Sequence, residues 1–322
     1  MVVVTGGRGF LGSHVAEAFA ELGVSQRLLG SADGDLRDAD VATRLVAGAE
    51  IVVHLAADVG GVGYLKAKGP QVFHNNLTMG LNVIEASRRA KVRRLVIAGT
   101  PCAYAPNAPL PLCEESLSTG FPVGDTGYYA TAKLVTSLAA KAMGDSTGID
   151  VATVIPSNLY GPGDHYEVDR AHVVAALIRK AVIARETNAR FFEVWGDGSA
   201  SRDLVYVSDV ARTIAAMALS DARFEGAAFN LSSDRETSIA DLANEIAVVL
   251  GGGIQPWYLP DRPVGYQRRL MSSSRARASF QYTPVVGLAD GLARTVASVY
   301  AKGLVTQWID DWMANRPLSR SA

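Results

Sequence analysis

The chain has 322 residues, with 31 lysines and arginines against 32 aspartates and glutamates, a formal net charge of −1. Apolar residues make up 48% and charged residues 20%, the balance of a globular protein with a sizeable core. No basic block supports nucleic-acid or membrane-surface binding, no apolar run approaches the ~20 residues of a bilayer span, and two cysteines make no disulfide framework.

The first residues, "MVVVTGG", read as a buried strand with no basic leader, so a cytoplasmic protein with free thiols is expected. "SHVAEAFAELG" (13–23) reads as a helix, "QRLLG" (26–30) as a strand, "DVATRLVAG" (40–48) as a helix and "EIVVHLAA" (50–57) as a strand. A long helix over 75–91, a strand over 93–100, a helix over 128–148 and a strand over 150–161 continue the alternation. Continuous apolar strands separated by helices predict an α/β fold, a doubly wound parallel sheet covered on both faces. After residue 165 the rhythm loosens. Helices over 172–186, 238–251 and 288–303 mix with short strands in "FFEVWG", "LVYV" and "AAFNLSS". The expected division is a dinucleotide-binding domain over 1–165 plus about 207–235, and a smaller α/β substrate domain over 166–206 and 236–322. The tail is read as a short helix with a frayed end.

Two overlapping glycine patterns, Gly6-x-x-Gly9-x-x-Gly12 and Gly7-x-Gly9-x-x-Gly12, join the first strand to the first helix. Glycines there permit a tight turn and close approach of backbone N–H groups to a pyrophosphate, which the helix N-terminus also favours. Gly6, Arg8, Gly9, Phe10, Leu11 and Gly12 are therefore cofactor candidates. Asp35 and Leu36 are placed near the adenine, and Leu55, Ala56 and Ala57 on the cofactor's other side. The second strand ends "LLGS" without an acid, and Asp33 is displaced by a few residues. With Arg8 in the loop and Ser31 nearby, NADP(H) is expected, with NAD as the alternative.

Tyr129 and Lys133 are four residues apart on a helix and so share a face. A lysine beside a phenol lowers its pKa, and a hydroxyl at the preceding strand end would hold a carbonyl oxygen against that phenol. Thr100 is that hydroxyl. No metal cluster is read.

"TGGRGFLG", "HLAA", "YATAK" and "PSNLYGPGD" together resemble the extended short-chain dehydrogenase/reductase family, over the chain to about residue 300. The resemblance implies a Rossmann domain, a second domain for a nucleoside-diphosphate sugar, and a homodimer formed by helices at about 76–90 and 128–145. "AADVGGVGYLKAKGPQVFHNNL", "GTPCAYAP" and "VWGDGSASRDLVYVSDVA" are similar to the GDP-L-fucose synthase branch, which implies a GDP-linked sugar. By that resemblance Cys102 and His172 are an epimerisation pair, either of them the base. Pro156, Asn158 and Leu159 face the nicotinamide. Lys180, Arg202 and Arg269, with Arg179, are phosphate-anchoring candidates, since arginine forks suit phosphates. Glu114 is a candidate for a sugar hydroxyl. Pro101 stands where that branch usually has a second serine.

Overall fold

The computed structural model describes residues 1–168, 170–262 and 264–314. The first half runs β1 (Val2–Thr5), α1 (Phe10–Glu21), β2 (Gln26–Leu29), α2 (Ala39–Val46), β3 (Ile51–His54), α3 (Val62–Ala90), β4 (Arg94–Ala98), α4 (Gly127–Thr147) and β5 (Asp150–Pro156). Two 3-10 turns, Pro101–Ala103 and Glu114–Ser118, lie between β4 and α4. There follow β6 (Asn158–Tyr160), α5 (Val173–Glu186), β7 (Phe191–Trp195), β8 (Ser201–Tyr206), α6 (Val207–Leu219), β9 (Ala228–Leu231), β10 (Glu236–Ser238), α7 (Ile239–Val249), β11 (Gln255–Leu259), α8 (Ser274–Phe280), α9 (Leu288–Ala301) and α10 (Leu304–Ala314). The frayed end expected after α10 lies outside the described residues.

Six strands form one sheet in the order β2-β1-β3-β4-β5-β9, and every neighbouring pair is parallel. Alternate residues of each strand enter opposite cores. Val3, Val52, Leu95 and Val151 pack with α2, α3 and α4, whereas Val2, Val4, Ile51 and Val53 pack with α1 and α6. Burial on both faces explains why the strands read as unbroken apolar runs. A separate core gathers the inner faces of α5, α7, α9 and α10 with Phe192, Val194 and Tyr206. Among the described residues no helix is long and apolar enough to cross a membrane.

The sequence reading leaves β10, β11 and α8 unassigned, and three further differences concern the large sheet and its helices. The helix expected over 75–91 begins thirteen residues earlier, at Val62. The added stretch contains Gly63, Gly69 and Pro70. The helix bends at Lys68 (φ −114°, ψ 16°), so the N–H that Pro70 lacks falls where the ladder is already interrupted. The strand expected over 150–161 is two strands. The chain leaves the large sheet at Ser157, and β6 joins a small sheet in the order β10-β8-β6. Ser157 is fixed at that crossing: its N–H donates to the Leu231 carbonyl at 2.9 Å and its hydroxyl to the buried Asp203 at 3.0 Å. The third is α6, which the sequence reading left unassigned. It lays Val210 and Ile214 on the same core as Val15 and Phe19 of α1.

Candidate active site

The sheet reverses its winding between β1 and β3, and a cleft of about 1260 Å³ opens at the carboxyl ends of the strands there. That exceeds the ~300–1,000 Å³ of a pocket for one small molecule. Gly6 adopts φ +68°, and a Cβ on it would lie 2.6 Å from the Ala56 backbone nitrogen. A Cβ on Gly12 would lie 2.0 Å from the Gly6 carbonyl oxygen, so the helix can seat on the loop only without side chains. Gly6, Arg8, Gly9, Phe10, Leu11 and Gly12 line the cleft. So do Asp35, Leu36, Leu55, Ala56 and Ala57, and beyond them Pro156, Asn158 and Leu159. A glycine cradle at a helix N-terminus that no Cβ could enter fits the pyrophosphate of a dinucleotide. Beneath it, Thr5 Oγ1 and His54 Nδ1 lie 2.7 Å apart. Burial and the nearby Lys133 charge push the His54 imidazole down to about 3, so it is neutral at working pH.

The end of β2 corrects one expectation. The loop folds back, and the Asp33 carboxylate accepts from the Gly30 N–H at 2.7 Å, directly after the strand. There it pairs with both arms of Arg8, at 2.8 and 3.2 Å. The acid that seemed displaced is thus at the strand end, opposite the cation. Arg37 was not singled out from the sequence. Its guanidinium clamps Asp35, with a closest approach of 2.6 Å, and reaches Asn75 at 3.0 Å. Asp58 accepts from Tyr64 and Asn75 at 2.7 and 2.8 Å and rigidifies the loop after β3.

Tyr129 and Lys133, both on α4, are 9% and 4% exposed and face the cleft. Burial pulls the Lys133 ammonium down to about 8. Burial also pushes the Tyr129 phenol well above its usual range. The adjacent Cys102 adds to this, and a hydrogen bond with Thr100 opposes it. Lys133 adds no lowering, contrary to what the tyrosine–lysine spacing suggests, and the phenol keeps its proton. Thr100 sits in the turn after β4, and its Oγ1 accepts from the Cys102 N–H at 3.3 Å. This places Thr100, Cys102 and Tyr129 around one point.

His172 caps α5 in extended geometry and borders the same cleft. Crowding by the protein, with the charge of His165, lowers its pKa. Arg202 and Arg269 line the same cleft. Arg202 donates to the carbonyls of Ser201, Tyr266 and Val264 at 2.7–2.8 Å. Arg269 donates to the Pro101 carbonyl and stacks 3.9 Å from the Tyr266 ring. Neither has a carboxylate partner among the described residues, so this wall is an uncompensated cationic surface.

The remaining candidates lie elsewhere. Lys180 is off the cleft wall, its ammonium 4.8 Å from the Trp195 ring. Arg179 bonds the Tyr166 carbonyl and pairs with Asp311 at 3.6 Å, which ties α5 to α10. Glu114 is buried and accepts from the Asn230 N–H at 2.8 Å, a structural bond rather than a sugar contact.

A glycine cradle at the switch point, a buried tyrosine–lysine pair beside a threonine, and two arginines on the same cleft are the setting of a dinucleotide-dependent enzyme. The chain belongs to the NAD dependent epimerase/dehydratase family, whose model matches residues 2–232. It is 33% identical over 298 residues to GDP-L-fucose synthase 1 of Arabidopsis thaliana, covering 91% of each chain. A GDP-L-fucose synthetase from Naegleria fowleri bound to NADP superposes with a TM-score of 0.83 at 25% identity, over 94% of this chain and 93% of that one. A GDP-6-OMe-4-keto-L-xylo-heptose reductase from C. jejuni, at 21% identity and a TM-score of 0.84 over 94% and 97%, shares the fold.

Proposed function

We propose that this protein is an NADP(H)-dependent epimerase/reductase of a GDP-linked 4-keto-6-deoxyhexose, inverting C3 and C5 and reducing C4. The observation that carries this reading is the convergence of Thr100, Cys102, Tyr129, Lys133 and His172 on one cleft that also presents Arg202 and Arg269. The relatives named for GDP-L-fucose synthesis support it.

The residues divide the work as follows. Arg202 and Arg269 hold the diphosphate. The C4 ketone acidifies the C–H bonds at C3 and C5. One of Cys102 and His172 removes the proton, the electron pair moves onto O4, and the other returns a proton to the opposite face. Thr100 and Tyr129 stabilise the charge on O4 through hydrogen bonds. A reduced dinucleotide held by its pyrophosphate in the glycine cradle would supply hydride for C4. Tyr129 holds the proton that O4 takes up, and the Lys133 ammonium offsets the charge left on the phenol.

The test is incubation of the protein with NADPH and GDP-4-keto-6-deoxymannose in D₂O. NADPH oxidation with deuterium at C3 and C5 of the product is the expected result. Oxidation without deuterium would reduce the reading to a 4-reductase, and no oxidation would overturn the substrate.

Two further outcomes are expected. Lys133 is charged below about pH 8 and neutral above it. The rate of NADPH oxidation at saturating substrate should therefore fall as the pH rises through that value, and Lys133→Met should abolish this limb of the profile. At the cofactor's ribose end, Asp33 competes with a 2′-phosphate for Arg8. Asp33→Asn should shift the ratio of kcat/KM for NADPH over NADH upward about two- to five-fold, the value of one exposed ion pair. An unchanged ratio would separate Asp33 from cofactor choice.

The helices expected to pair two copies carry exposed Leu81 on α3 and Tyr128, Val135 and Leu138 on α4. These support a homodimer through that face, which size-exclusion chromatography with light scattering checks.

A further inference from the structure

We propose that Arg269 is a positioning residue for Cys102, one arm holding the cysteine's turn while the other is left for an anion in the cleft. This rests on the reading of that cleft as a diphosphate-sugar site, and it adds a mechanical link between the two ends of the substrate.

The turn itself is small. Thr100 caps it, with its carbonyl accepting from Ala103 at 3.1 Å and its hydroxyl from Cys102. The Pro101 carbonyl accepts from Tyr104 at a long 3.4 Å. The proline ring fixes one dihedral angle and leaves no N–H at that position, so the turn gains no donor from Pro101. The Arg269 guanidinium makes up the difference by donating to the Pro101 carbonyl, one peptide unit from Cys102.

Arg269 is 8% exposed, and its other terminal nitrogen, Nη2, is buried without a hydrogen-bond partner among the described residues. A buried guanidinium N–H left unpaired is costly, and an anionic oxygen is the partner that best relieves it. The Tyr266 ring beneath the guanidinium plane limits where the fork can turn. An oxygen bound at Nη2 therefore holds Nη1 on Pro101 and fixes the direction of the Cys102 side chain. Arg202 lies in the same wall and donates three bonds, all to residues 201, 264 and 266 and none to the turn. Arg202 also feels the charge of Cys102, so its replacement by lysine controls for a nearby cation that makes no bond to the turn.

The test reads thiol alkylation by iodoacetamide, resolved by peptide mass spectrometry, with Cys113 as internal reference. Limiting rates at high pH, where both thiols are ionised, report access rather than acidity. Arg269→Lys keeps the charge and loses the fork. It should raise the limiting rate at Cys102 relative to Cys113 by at least about three-fold, and Arg202→Lys should leave it unchanged. Inorganic pyrophosphate, as the smallest probe of the anion site, should slow alkylation of Cys102 in the unaltered protein and not in Arg269→Lys. Equal effects from both arginine variants, or none from Arg269→Lys, would overturn the proposal. Should Arg269→Lys fail to fold, Pro101→Gly loosens the same turn with Arg269 in place and should raise the Cys102 rate in the same way; no rise there would also overturn it. In turnover, Arg269→Lys should lose deuterium incorporation at C3 and C5 more than hydride transfer at C4. Failure of the substrate assignment would show as absent turnover in the unaltered protein, while the alkylation result stands apart from it.

Discussion

Tyr129→Phe is expected to slow NADPH oxidation by about 10²- to 10⁴-fold, the usual worth of a positioned general acid. The phenol is 9% exposed, keeps its proton because it is buried, and has the Thr100 hydroxyl as hydrogen-bond partner. Phenylalanine fills the same volume, so the fold and the glycine cradle should survive, and NADPH binding by fluorescence should be unchanged within about two-fold. Deuterium exchange at C3 and C5 should fall less than reduction, because Thr100 still donates toward O4. A variant that reduced its substrate at the original rate would remove Tyr129 from the chemistry and leave water or His172 as the donor to O4.

Arg94→Met should have the largest effect on stability. Arg94 is 1% exposed, at the start of β4. Its guanidinium donates to Asp150 at 2.8 Å and to the carbonyls of Met217 and Ser220 at 2.6 Å each, and also bonds Ala222. Asp150 in turn accepts the N–H groups of Phe224 and Glu225 at 2.8 and 3.1 Å. This pair thereby fastens the loop between α6 and β9 to the starts of β4 and β5. Removing only the cation leaves a buried carboxylate uncompensated, at a cost of about 3–5 kcal/mol. A fall in Tm on the order of 10 °C should follow. Arg94→Met combined with Asp150→Leu should recover part of it, since the stranded charge is then gone. A single variant that melted within about 2 °C of the original would show that the loop is held by other means.

The parts legible in the sequence are those written in consecutive residues. Gly6, Gly9 and Gly12 lie within one turn of chain between a strand and a helix, and their spacing alone implies backbone at close quarters. Tyr129 and Lys133 follow from the helical period. The strands declared themselves because both faces of the sheet are covered. What could not be read depends on how loops fold or on residues far apart. Asp33 looked displaced because strand-end geometry is set by how the loop folds back onto Gly30. The bond from Arg269 to Pro101 spans 168 residues, and nothing local to either suggests it. Lys180 and Arg179 adjoin on α5 and look alike as phosphate ligands, yet one lies over Trp195 and the other is taken up by Tyr166 and Asp311. Glu114 reads as a candidate for a sugar hydroxyl, yet its carboxylate is buried against the Asn230 N–H, 116 residues away.

The crossing at Ser157 and the return of the chain in β9 have a consequence for how such a protein can be inherited. β9 is the outer strand of the large sheet, yet it arrives only after β7 and β8 of the smaller body have been made. A chain ended after residue 165 would bare the edge of β5, a row of unpaired backbone groups that invites aggregation. It would also strip α6 from the core it shares with α1. The half that grips the cofactor therefore cannot be exchanged between proteins as a bead on a string. New substrates must be reached by altering the walls of the cleft in place, with both halves carried together.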